Sequence, residues 1–308
     1  MPVDFKRNMD ILMALFPLIA LIAVGCVLKR TQFLNDGFWG NSEKLNYYIL
    51  FPILLFINIS KAELNLDTVS SLLMVMSIVA FIVAIFLWIL KFYYKIPASK
   101  FGVYVQSQLR FNTYIGLSLM AMLFGSKGME MFAMLIAVAI PLVNIISVLS
   151  FSTINIANLG KTIFAIIKNP LILGCVVGVV FNVSNIPLFL DLDHLLNFFA
   201  MMSLPLGLLS VGAALQFSQI KADLTRLSLN VFGRLLMMPV VAYLTSNFFA
   251  LNHFETSILV TFFALPTASA AYILTKVYQG DDRLMAAIIS LQTVFFIVTY
   301  PLLMAVLF

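Results

Sequence analysis

Charge is scarce in this chain: of 308 residues, 10% are Asp, Glu, Lys or Arg, against 62% hydrophobic. A domain with so little polar surface cannot cover its own exterior in water, so a soluble globular fold is excluded. Histidine is rarer still, with only His194 and His253, both at the starts of apolar runs. A hydrolase that needs a buried base beside a nucleophile therefore has no candidate histidine at depth. No glycine-rich phosphate loop with its lysine is present, which removes the motif for ATP hydrolysis. Cys26 and Cys175 both fall inside apolar runs, where a thiol behaves as a small buried hydrophobe. Neither a disulfide framework nor a metal set is implied, no cofactor is expected, and the chain is not read as an enzyme.

All thirteen carboxylates, Glu43 and Glu130 among them, lie in loops or near the ends of apolar runs. A cation or proton antiporter normally binds its ion on an intramembrane carboxylate, so the census argues against that class.

What is present is hydrophobic length. Runs near the roughly 20 residues of a spanning helix occur at 10–28, 38–59, 70–92, 101–124, 130–152, 162–182, 194–216, 228–249, 254–278 and 283–306. They predict an all-α polytopic membrane protein with ten transmembrane spans. Lys6-Arg7 before the first run, and Ala23-Val24-Gly25-Cys26 within it, superficially suggest an export signal. Lys29-Arg30 beyond the run form a cytoplasmic flank instead, so the segment is read as a span.

Thirteen of the eighteen basic residues lie beside the loops that follow the odd-numbered spans. Lys and Arg accumulate on the cytoplasmic side of short loops, so both termini are expected outside a cell (inner) membrane. The net charge of +5 is then a topological signal and an attraction for anionic inner-leaflet lipid; no nucleic-acid partner is expected.

Weak internal echoes organise the spans. Gly25-Cys26-Val27 matches Gly174-Cys175-Val176, Pro52-Ile53-Leu54-Leu55 matches Pro205-Leu206-Gly207-Leu208, and Phe124-Gly125 matches Gln279-Gly280. Partners stay about 150 residues apart. Five spans per half is an odd number, so the second half must cross in the opposite sense, a 5+5 inverted repeat. The expected division is a first repeat at 1–152, a short cytoplasmic linker at 153–161 and a second repeat at 162–308.

The costliest sequence is Gln106-Ser107-Gln108-Leu109-Arg110-Phe111-Asn112, followed by Thr113. An arginine at mid-membrane costs about 2.5–3.5 kcal/mol on insertion scales, so it normally faces a bundle interior or water. Span 9 carries Pro266-Thr267-Ala268-Ser269 at similar depth. Proline removes one amide and clashes with the preceding turn, and the freed carbonyls need partners in lipid. If spans 4 and 9 both break and cross, each second half starts there with free amides and a positive dipole end, for which Asn, Thr and Ser are favoured caps. Such a pair would suit an anion. Arg110 either adds its fork to that site or snorkels to the cytoplasmic interface. Pro141 and Asn144 in span 5, and Gln292-Thr293 in span 10, are explained nearly as well by packing as by contact with a substrate.

These residues resemble the auxin efflux carrier family, to which plant auxin exporters and bacterial malate or malonate carriers belong. The resemblance rests on Arg110-Phe111-Asn112 with Ile115-Gly116-Leu117, on Pro141-Leu142-Val143-Asn144, on Asn169-Pro170-Leu171, on Pro205 to Ala213 and on Ala264-Leu265-Pro266-Thr267-Ala268. It implies scaffold helices 1, 2, 6 and 7, transport helices 3–5 and 8–10, broken crossing helices 4 and 9, elevator-like movement and a homodimer. It also places Asn112 at the crossover near substrate. Ser118 stands where many relatives have proline, and the short linker lacks the long loop of the plant exporters, which favours a bacterial-type carrier.

The expected substrate-binding set is Arg110, Asn112, Thr113, Gly116, Ser118, Asn144, Pro266, Thr267, Ser269, Gln292 and Thr293. The expected function is secondary transport exporting a small organic anion, a carboxylate of auxin or malate type. The alternative is a sodium- or proton-coupled organic-anion symporter of the bile-acid type, with Asn144, Gln292 and Thr293 offering neutral oxygens. A non-transporting receptor is a third reading, disfavoured by the paired breaks.

Overall fold

A computed structural model of the chain describes residues 3–63, 66–151, 164, 168–185, 188–217 and 224–308. The expected linker at 153–161 lies outside the described residues. Among the described residues every regular element is helical. Where no water can satisfy a backbone amide, helix is the form in which a single segment satisfies its own.

The chain begins with α1 (Val3–Arg30), whose last turn carries Lys29 and Arg30. Next comes α2 (Asp36–Leu45), started by the Asn35 side chain accepting from the Phe38 amide at 2.8 Å. A π turn over Asn46–Leu50 joins α2 to α3 (Phe51–Ser60). Helix α4 (Leu66–Tyr94) leads to α5 (Ala98–Leu109) and α6 (Thr113–Phe151). Within α6 the path turns at Gly125, at φ 62° and ψ −151°, a conformation open to glycine and costly for other residues. The second part contains α7 (Pro170–Val183), α8 (Leu190–Ala213) and α9 (Leu224–Phe232). A second π turn over Gly233–Met237 leads into α10 (Met238–Phe248), then α11 (His253–Ala264), α12 (Ala270–Val277) and α13 (Asp282–Leu307).

Among the described residues six stretches are long and apolar enough to cross a membrane: Ile11–Arg30, Asp67–Tyr94, Ala98–Phe151, Asp191–Ala213, Leu224–Phe248 and Asp282–Leu307. The other expected runs do not form separate long helices, for local physical reasons. The run at 101–124 and the run at 130–152 belong to one 54-residue stretch that turns at Gly125. The run at 38–59 is divided by the first π turn, and the run at 254–278 is interrupted between Ala264 and Ala270. The apolar run at 162–182 is a regular helix from Pro170.

Two helix pairs approach almost backbone to backbone. A Cβ on Gly25 of α1 would stand 2.0 Å from the Leu209 carbonyl oxygen of α8, and one on Gly212 would stand 1.9 Å from the Ile22 carbonyl oxygen. The α3–α7 pair repeats this, with the Gly174 position 2.6 Å from the Pro52 carbonyl oxygen. Small residues are what allow apolar helices to approach this closely in lipid, where dispersion contacts replace the hydrophobic effect. Polar pins fix the pairs: Asn182 donates to the carbonyls of Ile59, Ser60 and Ala62 at the end of α3, at 3.1, 3.2 and 2.8 Å. Asn46 and Ser203 exchange hydrogen bonds of 2.9 and 2.7 Å between the first π turn and α8.

The main core brings α4, α5, α6, α11 and α13 together around Phe111, Phe132, Phe262 and Tyr300. Phe111 lies 4.4 Å from Phe262, centroid to centroid. Large side chains on α4, including Phe81, Ile85, Phe86, Ile89 and Phe92, point outward. Such a surface belongs against lipid or another apolar body.

Candidate functional site

Two helices break at the same depth and meet. After Leu109, Arg110 adopts extended backbone at φ −72° and ψ 143°; after Ala264, Leu265 does the same at φ −60° and ψ 142°. The Asn112 amide donates across the gap to the Pro266 carbonyl at 2.8 Å. The Asn112 side-chain oxygen then accepts from the amides of Tyr114 and Ile115 at 3.1 and 3.2 Å, starting α6 as an N-cap. Proline has no amide to give and so serves the crossing as an acceptor.

The crossing has two chemically opposite sides. On one, the helix starts open into a cavity of about 190 Å³. Its wall takes Glu43, Tyr47 and Phe51 from α2, the π turn and α3. It takes Arg110 to Tyr114 from the first break and Ile140, Val143 and Asn144 from the later part of α6. Asn169 and Leu171 come from the start of α7, and Ala268 to Ala270 from the start of α12. Three helix N-termini thus face one space. Asn169 caps α7 by accepting from the Leu171 amide at 2.9 Å, with Pro170 at the first helical position, where its missing amide costs nothing. Each start turns the positive end of a helix dipole, worth about half a charge, toward that space, while the Tyr114, Ile115 and Leu171 amides are taken by the capping side chains. The Arg110 guanidinium donates to the Asn144 side-chain oxygen, while its Nε is buried without a protein partner. The volume is below the roughly 300–1,000 Å³ of drug-sized pockets, and so it suits a small solute.

Behind the crossing lie the helix ends. Arg234, fully buried on the second π turn, donates through Nε to the Leu265 carbonyl at 2.7 Å and through a terminal nitrogen to the Gln108 carbonyl. Around it the single Thr267 hydroxyl proton lies between two acceptors, the Ser107 carbonyl at 2.8 Å and the Gln292 side-chain oxygen at 2.7 Å, and the Thr267 amide donates to that same Gln292 oxygen at 2.9 Å. Asn230 donates to the Ser107 hydroxyl at 2.7 Å and accepts from the Gln292 amide at 3.0 Å.

The expected residues divide accordingly. Arg110, Asn112, Thr113, Asn144 and Ser269 line the cavity. Pro266 lends its carbonyl to the crossing, while Thr267 and Gln292 belong to the rear network. Gly116 is a packing position, since a Cβ there would meet the Phe132 ring at 2.3 Å. The Ser118 hydroxyl is buried without a partner further along α6, and the Thr293 hydroxyl donates to its own helix at the Ile289 carbonyl, 2.8 Å away. Neither lines the cavity.

Sequence reasoning passed over Glu43, Tyr47, Tyr114, Asn169 and Arg234. Glu43 does lie at a helix end, in the last turn of α2, and from there it also lines the cavity. Asn-Pro ahead of an apolar run was a legible cap signal. Glu43 and Tyr47 lie four apart, one helical turn, but nothing local marks the face they share. The Tyr114 ring lies on α8 at Gly207, where a Cβ would stand 2.4 Å from the ring.

Long apolar helices broken around a small cavity with polar groups at the breaks define an integral membrane transport protein. Residues 152–304 match the family described as membrane transport protein. That match covers 153 of the chain's 308 residues, its second half, and agrees with the resemblance of the motifs to the auxin efflux carriers. It is also similar to an uncharacterized transporter of Methanocaldococcus jannaschii, 23% identical over 293 residues that cover 90% of this chain and 92% of the relative.

Proposed function

We propose that the protein is a secondary carrier exporting a small organic anion, of auxin or malate type, by alternating access. The observation that carries this reading is the convergence of Arg110 and three helix N-termini on one cavity. The positive ends of three helix dipoles and a guanidinium take the place of part of the hydration shell of a carboxylate. An anion leaving a cell that is negative inside gains about 2.3 kcal/mol per charge per 100 mV, which drives export without a coupling ion.

In this reading ten spans form a 5+5 inverted repeat in the inner membrane, with both termini outside. Its support is that α1 pairs with α8 as α7 pairs with α3, the exchange that a two-fold relation between the halves requires. Spans 1, 2, 6 and 7 serve as scaffold and the remainder as the moving body, elevator fashion, in a homodimer. The cation-coupled alternative has less to work with, because the side-chain oxygens of Asn144 and Gln292 already accept hydrogen bonds.

The test is efflux of labelled malate and indole-3-acetate from proteoliposomes. Saturable, potential-dependent flux supports the proposal. Binding of these acids with no flux for either would instead support a receptor and overturn it.

A further inference from the structure

The arrangement at Arg234 goes beyond anion binding. Helices α5 and α11 end against one another, each presenting unsatisfied carbonyls and about half a negative charge to the same buried point. In broken-helix transporters such ends are a favoured seat for a sodium ion or a proton. Here the space is filled from within the chain.

We infer that Arg234 is a built-in counter-cation for the crossing, standing where a coupling metal ion would otherwise be required, so that transport proceeds without one. The guanidinium bridges the two breaks, with Nε on the Leu265 carbonyl of one and a terminal nitrogen on the Gln108 carbonyl of the other. It is fully buried, and among the described residues no carboxylate lies within ion-pair distance of it. A buried charge normally demands a partner, and the two negative helix ends are the partner this one has. The π turn over Gly233–Met237 adds a residue to the helical turn and so redirects a side chain, a device common at functional sites. Gly233 admits the Gln108 amide, 3.3 Å from where a Cβ would stand. Two nearby oxygens are already accepting: the Ser107 carbonyl from the Gln292 side-chain amide at 3.2 Å, and the Gln292 side-chain oxygen from the Thr267 amide at 2.9 Å. A metal ion would find the charge already supplied and the Leu265, Gln108 and Ser107 carbonyls already taken.

The inference rests on the carrier reading only for its transport arm, so its test begins with stability. Purified protein is melted in sodium, potassium, lithium or choline chloride at equal ionic strength. The wild type is expected to melt at one temperature in all four, because nothing that binds the native state is being added or removed. Arg234→Gln keeps polarity but loses the charge, and its melting temperature should fall clearly in choline chloride; Arg234→Lys keeps the charge and should stay near the wild type. In vesicles the wild type should transport at the same rate when choline replaces sodium, and Arg234→Gln should lose at least about tenfold, the scale of one charge-assisted hydrogen bond.

A wild type stabilised by sodium over choline overturns the inference, as does Arg234→Gln melting like the wild type, or Arg234→Lys falling as far as Arg234→Gln. Should Arg234→Gln fail to fold, the wild-type salts and Arg234→Lys still decide. Expected melts without flux of either acid would leave the counter-cation standing and remove the carrier; sodium-dependent flux would do the reverse.

Discussion

The Asn112 amide and the Pro266 carbonyl meet at 2.8 Å, a direct backbone hydrogen bond between two helix breaks 154 positions apart in the chain. That bond and the cap made by the Asn112 side chain are separable by mutation. Asn112→Ala keeps the amide and loses the cap, which costs about 0.5–2 kcal/mol of stability. Asn112→Asp keeps the cap and places a carboxylate on the cavity wall. The expected outcome is a folded protein with anion flux abolished in Asn112→Asp and a measurably lower melting temperature in Asn112→Ala.

Arg110 supplies the full positive charge among partial ones. Arg110→Gln should raise KM for a carboxylate by roughly 10- to 100-fold, the value of a charge-assisted hydrogen bond. Arg110→Lys should recover part of it, since a point charge remains without the fork. Saturation curves in vesicles check both. An unchanged KM in Arg110→Gln would remove Arg110 from the substrate site.

Glu43 opposes its surroundings, a negative group on a wall built for anions. Its replacement by Gln should lower KM for a monocarboxylate by roughly three- to tenfold, because a like charge across a partly watery cavity costs on that order. Dicarboxylates should gain more than monocarboxylates. The comparison of malate with indole-3-acetate reads this directly.

The glycine contacts predict a contrast in stability. Gly25→Ala and Gly212→Ala each drive a methyl into a neighbouring backbone carbonyl, about 2 Å away in each case. Each should lower the yield of folded protein and cost at least about 1–3 kcal/mol. Gly40→Ala, with nothing within 4 Å, should be neutral or gain up to about 1 kcal/mol from helix propensity. Size-exclusion yield and melting temperature separate the three.

Much of this was legible in the chain. Hydrophobic length gave the helices, and the pairing of Asn112 with a proline 154 positions on gave the crossing. Both are local signals, because a break in an apolar helix has to be written as proline or as a capping side chain. Thr267 and Gln292 were legible as polar at depth but not as facing the rear, since one turn of a broken helix decides between opposite sides. Arg234 was read only as a flanking charge near a loop. Its burial depends on a π turn, and Gly-Arg-Leu-Leu-Met carries no mark that distinguishes five wide-wound residues from five ordinary ones. Glu43 escaped for the same reason, its place on the wall being fixed by elements more than 60 residues away.

The seam between Tyr114 and Gly207 has a mechanical consequence. Where α1 meets α8, carbonyl sits against glycine and the two backbones are keyed together, so neither can slide without collision. At Gly207 a flat ring rests on a helix surface that offers no side chain to catch it. If the cavity wall travels relative to α8, friction is lowest there, and a branched side chain at position 207 would act as a brake while leaving every polar group of the cavity in place.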